Sequence, residues 1–85
     1  MVYVYFLKLN NGKTYIGSTQ DLRRRLREHQ GGKVPSTRGR TPVRLIYYEA
    51  YSNEKDARNR EKYLKTGDGK RSLQKQMPHT LNMHS

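Results

Sequence analysis

An 85-residue chain with 32% hydrophobic residues, no tryptophan and no cysteine can build one domain with a small core, because a chain this short buries only about 60% of its unfolded surface. The lack of cysteine excludes disulfide frames, zinc ribbons and thiol chemistry, and the longest apolar run, the seven residues 1–7, is far from the ~20 that cross a bilayer. Eighteen Lys plus Arg against seven Asp plus Glu give a formal charge of +11, which makes a polyanion the default partner through counterion release at phosphates. No charged stretch followed by an apolar one opens the chain, so no signal peptide is visible and the expected compartment is the cytoplasm.

Residues 2–9 (VYVYFLKL) and 13–17 (KTYIG) are rich in β-branched and aromatic residues and flank Asn10-Asn11-Gly12. That pattern predicts a hairpin with a type I′ turn, in which both central residues take φ > 0. The hairpin sets Tyr5 and Tyr15 on neighbouring strands. Ser18 or Thr19 is the expected N-cap of a first helix, with Asp21 near its positive end, running to about Gln30 and stopping at Gly31-Gly32. Residues 31–42 (GGKVPSTRGRTP) then read as a loop unable to pack a core, whose cations Lys33, Arg38 and Arg40 suit phosphate backbones. Residues 43–51 read as a third strand and 54–66 as a second helix, capped by Ser52 or Asn53 and ended by Gly67. Residues 70–76 are expected to form a further basic helical turn or two. The expectation is an α+β domain over residues 1–77, a small three-stranded antiparallel sheet in β-β-α-β-α order flanked by helices. Residues 78–85 are expected to be a frayed polar tail, with His79 and His84 in it.

The 3.6-residue period sorts the charges. With Leu22 as zero on the first helix, Leu26 lies at about +40°, His29 at about −20° and Arg25 at about −60°. Arg23, Arg24 and Arg27 fall between about 100° and about 200° and face solvent as a basic surface that can also steer phosphates. Arg25 is either a guanidinium snorkelling along the core edge or a functional group. On the second helix, with Ala57 as zero, Glu61 sits at about +40° in the inward stripe. Burying a carboxylate costs several kcal/mol unless a cation compensates, so Glu61 either pairs with Lys65 at i,i+4 or serves a site. Any single tyrosine has packing as its ordinary role, and Tyr47, Tyr48, Tyr51 and Tyr63 are assigned to it.

The order of Tyr3-Val4-Tyr5, Tyr15-Ile16-Gly17, Arg25, His29 and Glu61 resembles the GIY-YIG nuclease family over roughly residues 3–66. Thr37-Arg38-Gly39-Arg40, Pro42-Val43 and Arg60-Glu61-Lys62-Tyr63-Leu64-Lys65 resemble its small stand-alone branch, related to the nuclease domain of the bacterial excision-repair nuclease and so to DNA repair. The resemblance implies that Tyr5 and Tyr15 are the motif tyrosines, Arg25 and His29 the family arginine and histidine, and Glu61 the ligand of one Mg²⁺ or Mn²⁺. It also implies that Gly17 lets the chain leave the strand closely. By the same resemblance Tyr15 or Tyr5 would position and deprotonate the attacking water, the sequence not ranking the two beyond a slight preference for Tyr15 beside Gly17; Arg25 or His29 would have to lower the phenol's pKa, and Arg25 would also stabilise charge on phosphorus. Arg23, Arg24, Arg27, Lys33, Arg38 and Arg40 are the expected nucleic-acid contacts. Three positions depart from the family pattern: Tyr3 replaces a glycine, Ser18 stands where the excision-repair branch has lysine, and residues 64–76 contain no asparagine.

The reading is thus a divalent-metal-dependent endonuclease acting on DNA that is branched, nicked or single-stranded, with RNA left open and no membrane partner. The alternative is a non-catalytic basic binding module on the same fold; a basic protein of a ribonucleoprotein is a weaker third.

Overall fold

The computed structural model describes residues 1–82, so His84 and the end of the tail lie outside the described residues. The elements run β1 (Val2–Lys8), β2 (Thr14–Thr19), α1 (Leu22–Gln30), β3 (Arg44–Tyr51), α2 (Glu54–Leu64), α3 (Gly67–Gln76) and α4 (Pro78–Leu81). The strands form one antiparallel sheet in the order β2-β1-β3.

Central strand β1 is apolar on both faces, and the alternation of its side chains divides the core in two. Val2, Val4 and Phe6 point to one side and meet Ile16, Ala57, Leu64, Leu73 and Leu81 beneath α2, α3 and α4. Tyr5 and Leu7 point to the other side, with Leu9, Val43 and the α1 residues Leu22 and Leu26. The sheet is therefore a middle layer with α1 on one face and the later helices on the other.

The turn differs from the expected one. Asn11 keeps negative φ and only Gly12 is positive, at 84°. The bonds Gly12 N–H to Leu9 O and Leu9 N–H to Lys13 O close a three-residue loop, the arrangement in which one glycine in the left-handed region follows an ordinary turn. Strand β2 runs on to Thr19, and the cap of α1 moves to Asp21, whose side chain accepts from the Arg24 N–H at 3.1 Å. Helix α1 ends as expected: Gly32, at φ 74°, donates to His29 O, and Lys33 N–H reaches back to Glu28 O, which together satisfy the last carbonyls.

Three further expectations are corrected. The loop after α1 does pack, because Val34 and Thr37 are buried at 3% and 0% exposure. Tyr48 and Tyr63 are exposed, at 51% and 42%, rather than packed into the core; Tyr48 stands on the same sheet face as Tyr5, its cross-strand partner. The tail does not fray at residue 78: Pro78 opens a helical turn that buries Leu81 against the core, and Lys8 Nζ donates to Leu81 O.

Helix α2 is fixed to edge strand β3 by a polar cluster. Arg60 donates to both oxygens of Glu49 at 3.0 Å, and the Tyr47 and Tyr51 hydroxyls donate to the same carboxylate. Burial pushes the Glu49 pKa up, but Arg60 and the tyrosine hydroxyls outweigh it and hold the group below the ordinary carboxylate range. An Arg fork on a carboxylate sets both distance and rotation, so this cluster orients the helix that carries Glu61.

Candidate active site

Edge strand β2 is clasped from both faces, and the predicted residues converge on it. In the register of the hairpin Tyr5 faces Gly17 and Leu7 faces Tyr15. Tyr5 and Tyr15 are thus diagonal neighbours on one face, their ring centroids 6.3 Å apart. A Cβ on Gly17 would lie 2.6 Å from the Tyr5 hydroxyl oxygen and 3.1 Å from the Tyr15 ring. Gly17 therefore stays within the strand, and its lack of a side chain makes room for the Tyr5 hydroxyl. It is Tyr5, not Tyr15, whose hydroxyl occupies that gap.

From above, α1 contributes His29 and Arg25. The Tyr5 hydroxyl lies 2.8 Å from His29 Nε2, and His29 Nδ1 lies 2.7 Å from Thr37 Oγ1. All three residues are buried, at 1%, 0% and 0% exposure, so the chain Tyr5–His29–Thr37 runs from the strand through the helix to the loop with its only residual exposure at Tyr5, beside the Gly17 gap. Tyr15 stacks edge-on against His29 with centroids 5.1 Å apart. Arg25 is half-buried, and its Nη1 donates to Glu28 Oε1 at 3.1 Å. Arg23, Arg24 and Arg27 are exposed, as their helical phase predicts.

Burial sets the protonation of this chain. It pushes the Tyr5 phenol up to about 12, against a smaller downward pull from the nearby Arg25 guanidinium. At Tyr5 the expected downward pull of Arg25 is present but outweighed, because desolvation of the anion exceeds the attraction of one cation. Burial, and then the charge of Arg25, lower His29 below its ordinary 6.5. At neutral pH the pair is a phenol and a neutral imidazole.

From below, α2 brings Glu61 to the neighbouring residue of the same strand. Ser18 Oγ donates to Glu61 Oε1 at 2.6 Å, and Lys65 Nζ donates to Oε2 at 2.8 Å. Burial raises the Glu61 pKa, but the Lys65 and Ser18 hydrogen bonds outweigh it and the net shift is downward. Glu61 is therefore a carboxylate, and its charge reaches the Tyr5 phenol. Among the described residues no three His, Cys, Asp or Glu gather as a metal cage. A single ionised carboxylate, its side chain 21% exposed and oriented by one hydroxyl, still fits a hard cation that takes its other ligands from water and phosphate. The Lys65 partner of this carboxylate is 52% exposed.

The six expected nucleic-acid contacts, Arg23, Arg24, Arg27, Lys33, Arg38 and Arg40, are all exposed, and none is in an ion pair among the described residues. Sequence reasoning misses two residues of the cluster. Thr37 carries a signal only as part of the Thr37-Arg38-Gly39-Arg40 segment, and Ser18 stands out as a departure from a pattern rather than as the partner of Glu61.

Comparison with known proteins points the same way. A model of the GIY-YIG catalytic domain matches residues 1–75. A UPF0213 protein of Clostridium perfringens is 42% identical over 66 residues, which is 76% of this chain and 71% of that protein. One from Streptococcus pneumoniae serotype 4 is 44% identical over 64 residues, 74% of this chain and 65% of the relative. The solution NMR structure of a UPF0213 protein from Bacillus halodurans superposes with a TM-score of 0.57 at 35% identity, covering 89% of this chain and 85% of that one.

Proposed function

Because the chain belongs to the GIY-YIG catalytic-domain family, a family of nucleases, we propose that it is a divalent-metal-dependent endonuclease that cuts DNA by strand structure rather than base sequence. The observation that carries this reading is the buried Tyr5–His29–Thr37 chain ending at the Gly17 gap, with Arg25 and Glu61 on either side of the same strand.

Glu61 is the residue that would hold one Mg²⁺ or Mn²⁺, and such an ion supplies polarisation of the scissile phosphate and charge neutralisation at the departing oxygen. The protein's own groups handle the proton. With its pKa at about 12, Tyr5 is protonated and donates to His29 Nε2, so Nδ1 carries the ring proton and donates to Thr37 Oγ1. As water attacks phosphorus, its proton passes to the Tyr5 oxygen while the Tyr5 proton passes to Nε2. No phenolate has to exist beforehand, which removes the difficulty of a phenol as a base at pH 7. Neutral His29 is ready to accept, and the charge it gains forms opposite the developing negative charge on the phosphoryl oxygens. Arg25 stabilises that negative charge. The Tyr15 hydroxyl has no protein hydrogen-bond partner among the described residues and is free to orient the water or the phosphate.

The exposed cations of α1 and the loop bind the backbone. No helix-turn-helix or second reading element appears among the described elements, which supports selection by strand structure.

The deciding experiment is a panel of branched, nicked, single-stranded and duplex DNA with Mg²⁺ or Mn²⁺. Glu61→Gln should abolish cleavage and leave binding within a few-fold, since shape is kept and charge is removed. Near-normal cleavage by this variant would return Glu61 to a simple ion pair with Lys65. Tight binding with no cleavage by the wild type would favour the non-catalytic module.

A further inference from the structure

Where the family pattern has glycine, this chain has Tyr3, and that ring forms an aromatic pair away from the proton chain. Tyr3 packs edge-on against Tyr48 with centroids 5.9 Å apart. Tyr48 is 51% exposed, one of three large hydrophobic side chains left open on the surface among the described residues. An exposed tyrosine gains nothing for the core. The pair forms one wall of a groove of about 320 Å³ between the sheet and the start of α1, whose other wall is Gln20, Asp21, Leu22 and Arg23. That volume falls in the range of small-ligand sites.

The groove is in register with the candidate active site. Tyr3 and Tyr5 are two residues apart on one face of β1, about 7 Å along the strand, and Tyr48 is the direct cross-strand partner of Tyr5. Arg25 lies one half-turn along α1 from Arg23. The offset is close to the spacing of neighbouring nucleotides in an extended strand.

Charge decides which part of a nucleotide enters. The Asp21 carboxylate on the wall already accepts from Arg24 N–H, and its negative charge repels phosphate. The exposed cations Arg23 and Arg24 lie immediately beside it. A flat, neutral group with polar edges fits between the tyrosines and the Gln20 amide, with its phosphates held outside by arginine. We propose that the Tyr3–Tyr48 groove is a stacking subsite for one unpaired nucleobase of a DNA strand, adjacent to the phosphate faced by Tyr5 and Arg25. The position relative to a scissile bond rests on the nuclease reading above; capture of the base does not. A paired base cannot enter the groove, so the subsite directs the protein to single-stranded segments, flaps and frayed ends.

The test uses the full chain in EDTA, where no hydrolysis complicates binding. The probe is a short single-stranded DNA with 2-aminopurine at its centre, compared with the same strand annealed to its complement. The single strand should bind with quenched fluorescence, as base–aromatic stacking requires. Tyr48→Ala should weaken single-strand binding about fivefold or more and leave duplex binding within twofold. Tyr48→Phe, which keeps the ring, should restore the wild-type value. Arg23→Ala should weaken both probes alike, as a phosphate contact does. Equal effects of Tyr48→Ala on the two probes, or failure of Tyr48→Phe to restore binding, would overturn the subsite. The two readings separate cleanly: a wild type that cuts no DNA with Mg²⁺ or Mn²⁺ but shows the Tyr48 pattern loses the nuclease reading and keeps the subsite. A wild type that cuts but shows no Tyr48 effect loses the subsite alone.

Discussion

Tyr5 and Tyr15 sit on the same face of the hairpin, yet their surroundings differ. Tyr5 is 1% exposed and bonded to a buried imidazole, whereas Tyr15 is half-buried beside it. Tyr5→Phe should therefore remove cleavage, keep DNA binding and lower stability by about 1–2 kcal/mol, because it leaves His29 Nε2 unpaired in the interior. Tyr15→Phe should retain more activity and lose almost no stability. Thermal melts and nicking rates on both proteins check this, and a fully active Tyr5→Phe protein would end the proton-relay mechanism. His29 gives an independent test through pH. Its folded pKa lies below the ordinary 6.5, so between those two values the unfolded chain binds the extra proton and the folded one does not. Stability from keeping this ring neutral is complete above about pH 6.5 and is lost as pH falls through the folded value. Wild-type melting temperature should drop between pH 7 and 5, and His29→Asn should flatten that window. Cleavage by the folded protein should fail only as pH falls through the folded value, because a protonated imidazole cannot accept from Tyr5.

At the level of elements, helical phase on α1 separates one arginine from three. Arg25→Ala should cost about 10²–10³ in cleavage rate, the scale for losing one transition-state charge donor, while Arg23→Ala, Arg24→Ala and Arg27→Ala should act mainly on binding. Single-turnover rates at saturating protein distinguish the two, and equal losses from all four would make them phosphate anchors alike. This sorting is legible in the sequence because a 3.6-residue period fixes which side chains face the sheet, whatever the rest of the chain does. The hairpin and the strand alternation that puts Tyr5 inside are legible for the same reason. The links between elements are not. No local pattern says that a threonine in a Gly- and Pro-rich loop returns to an imidazole eight residues back, because that contact depends on the Gly32 turn and on the burial of Val34. Nor does spacing say that Ser18 meets Glu61 across 43 residues, since that distance is set by how α2 docks. The docking itself uses the Arg60–Glu49 fork and Gly69, where a Cβ would lie 2.0 Å from the Tyr63 carbonyl oxygen. Neither contact follows from a repeat in the sequence. Leu81 escapes sequence reasoning because a short polar tail gives one apolar residue no periodic company.

For the molecule as a whole, the formal charge of +11 is distributed so that the proposed function would use different residues for recognition and for chemistry. Arg23, Arg24 and Arg27 on α1 and Lys33, Arg38 and Arg40 in the following loop are exposed, whereas Arg25 and the Glu49-bound Arg60 are committed elsewhere. The loop cations adjoin Thr37, so the segment proposed to contact phosphates also buttresses His29. If four to six of the exposed cations neutralise phosphates, log K against log[salt] should slope by roughly −3 to −5, at about 0.7–0.9 per phosphate. Removing the charges of Lys33, Arg38 and Arg40 should flatten the slope by about one unit for each phosphate left without its cation. The same substitutions should leave single-turnover cleavage at saturating protein within a few-fold, because Thr37 stays in place. Fluorescence anisotropy across a salt series, run beside those rates, checks both statements. A slope near zero would mean that the positive charge serves something other than a polyanion. A flattened slope accompanied by collapsed cleavage in the loop variants would instead show that loop charge and the Thr37–His29 contact act as one unit, with DNA itself holding the proton chain together.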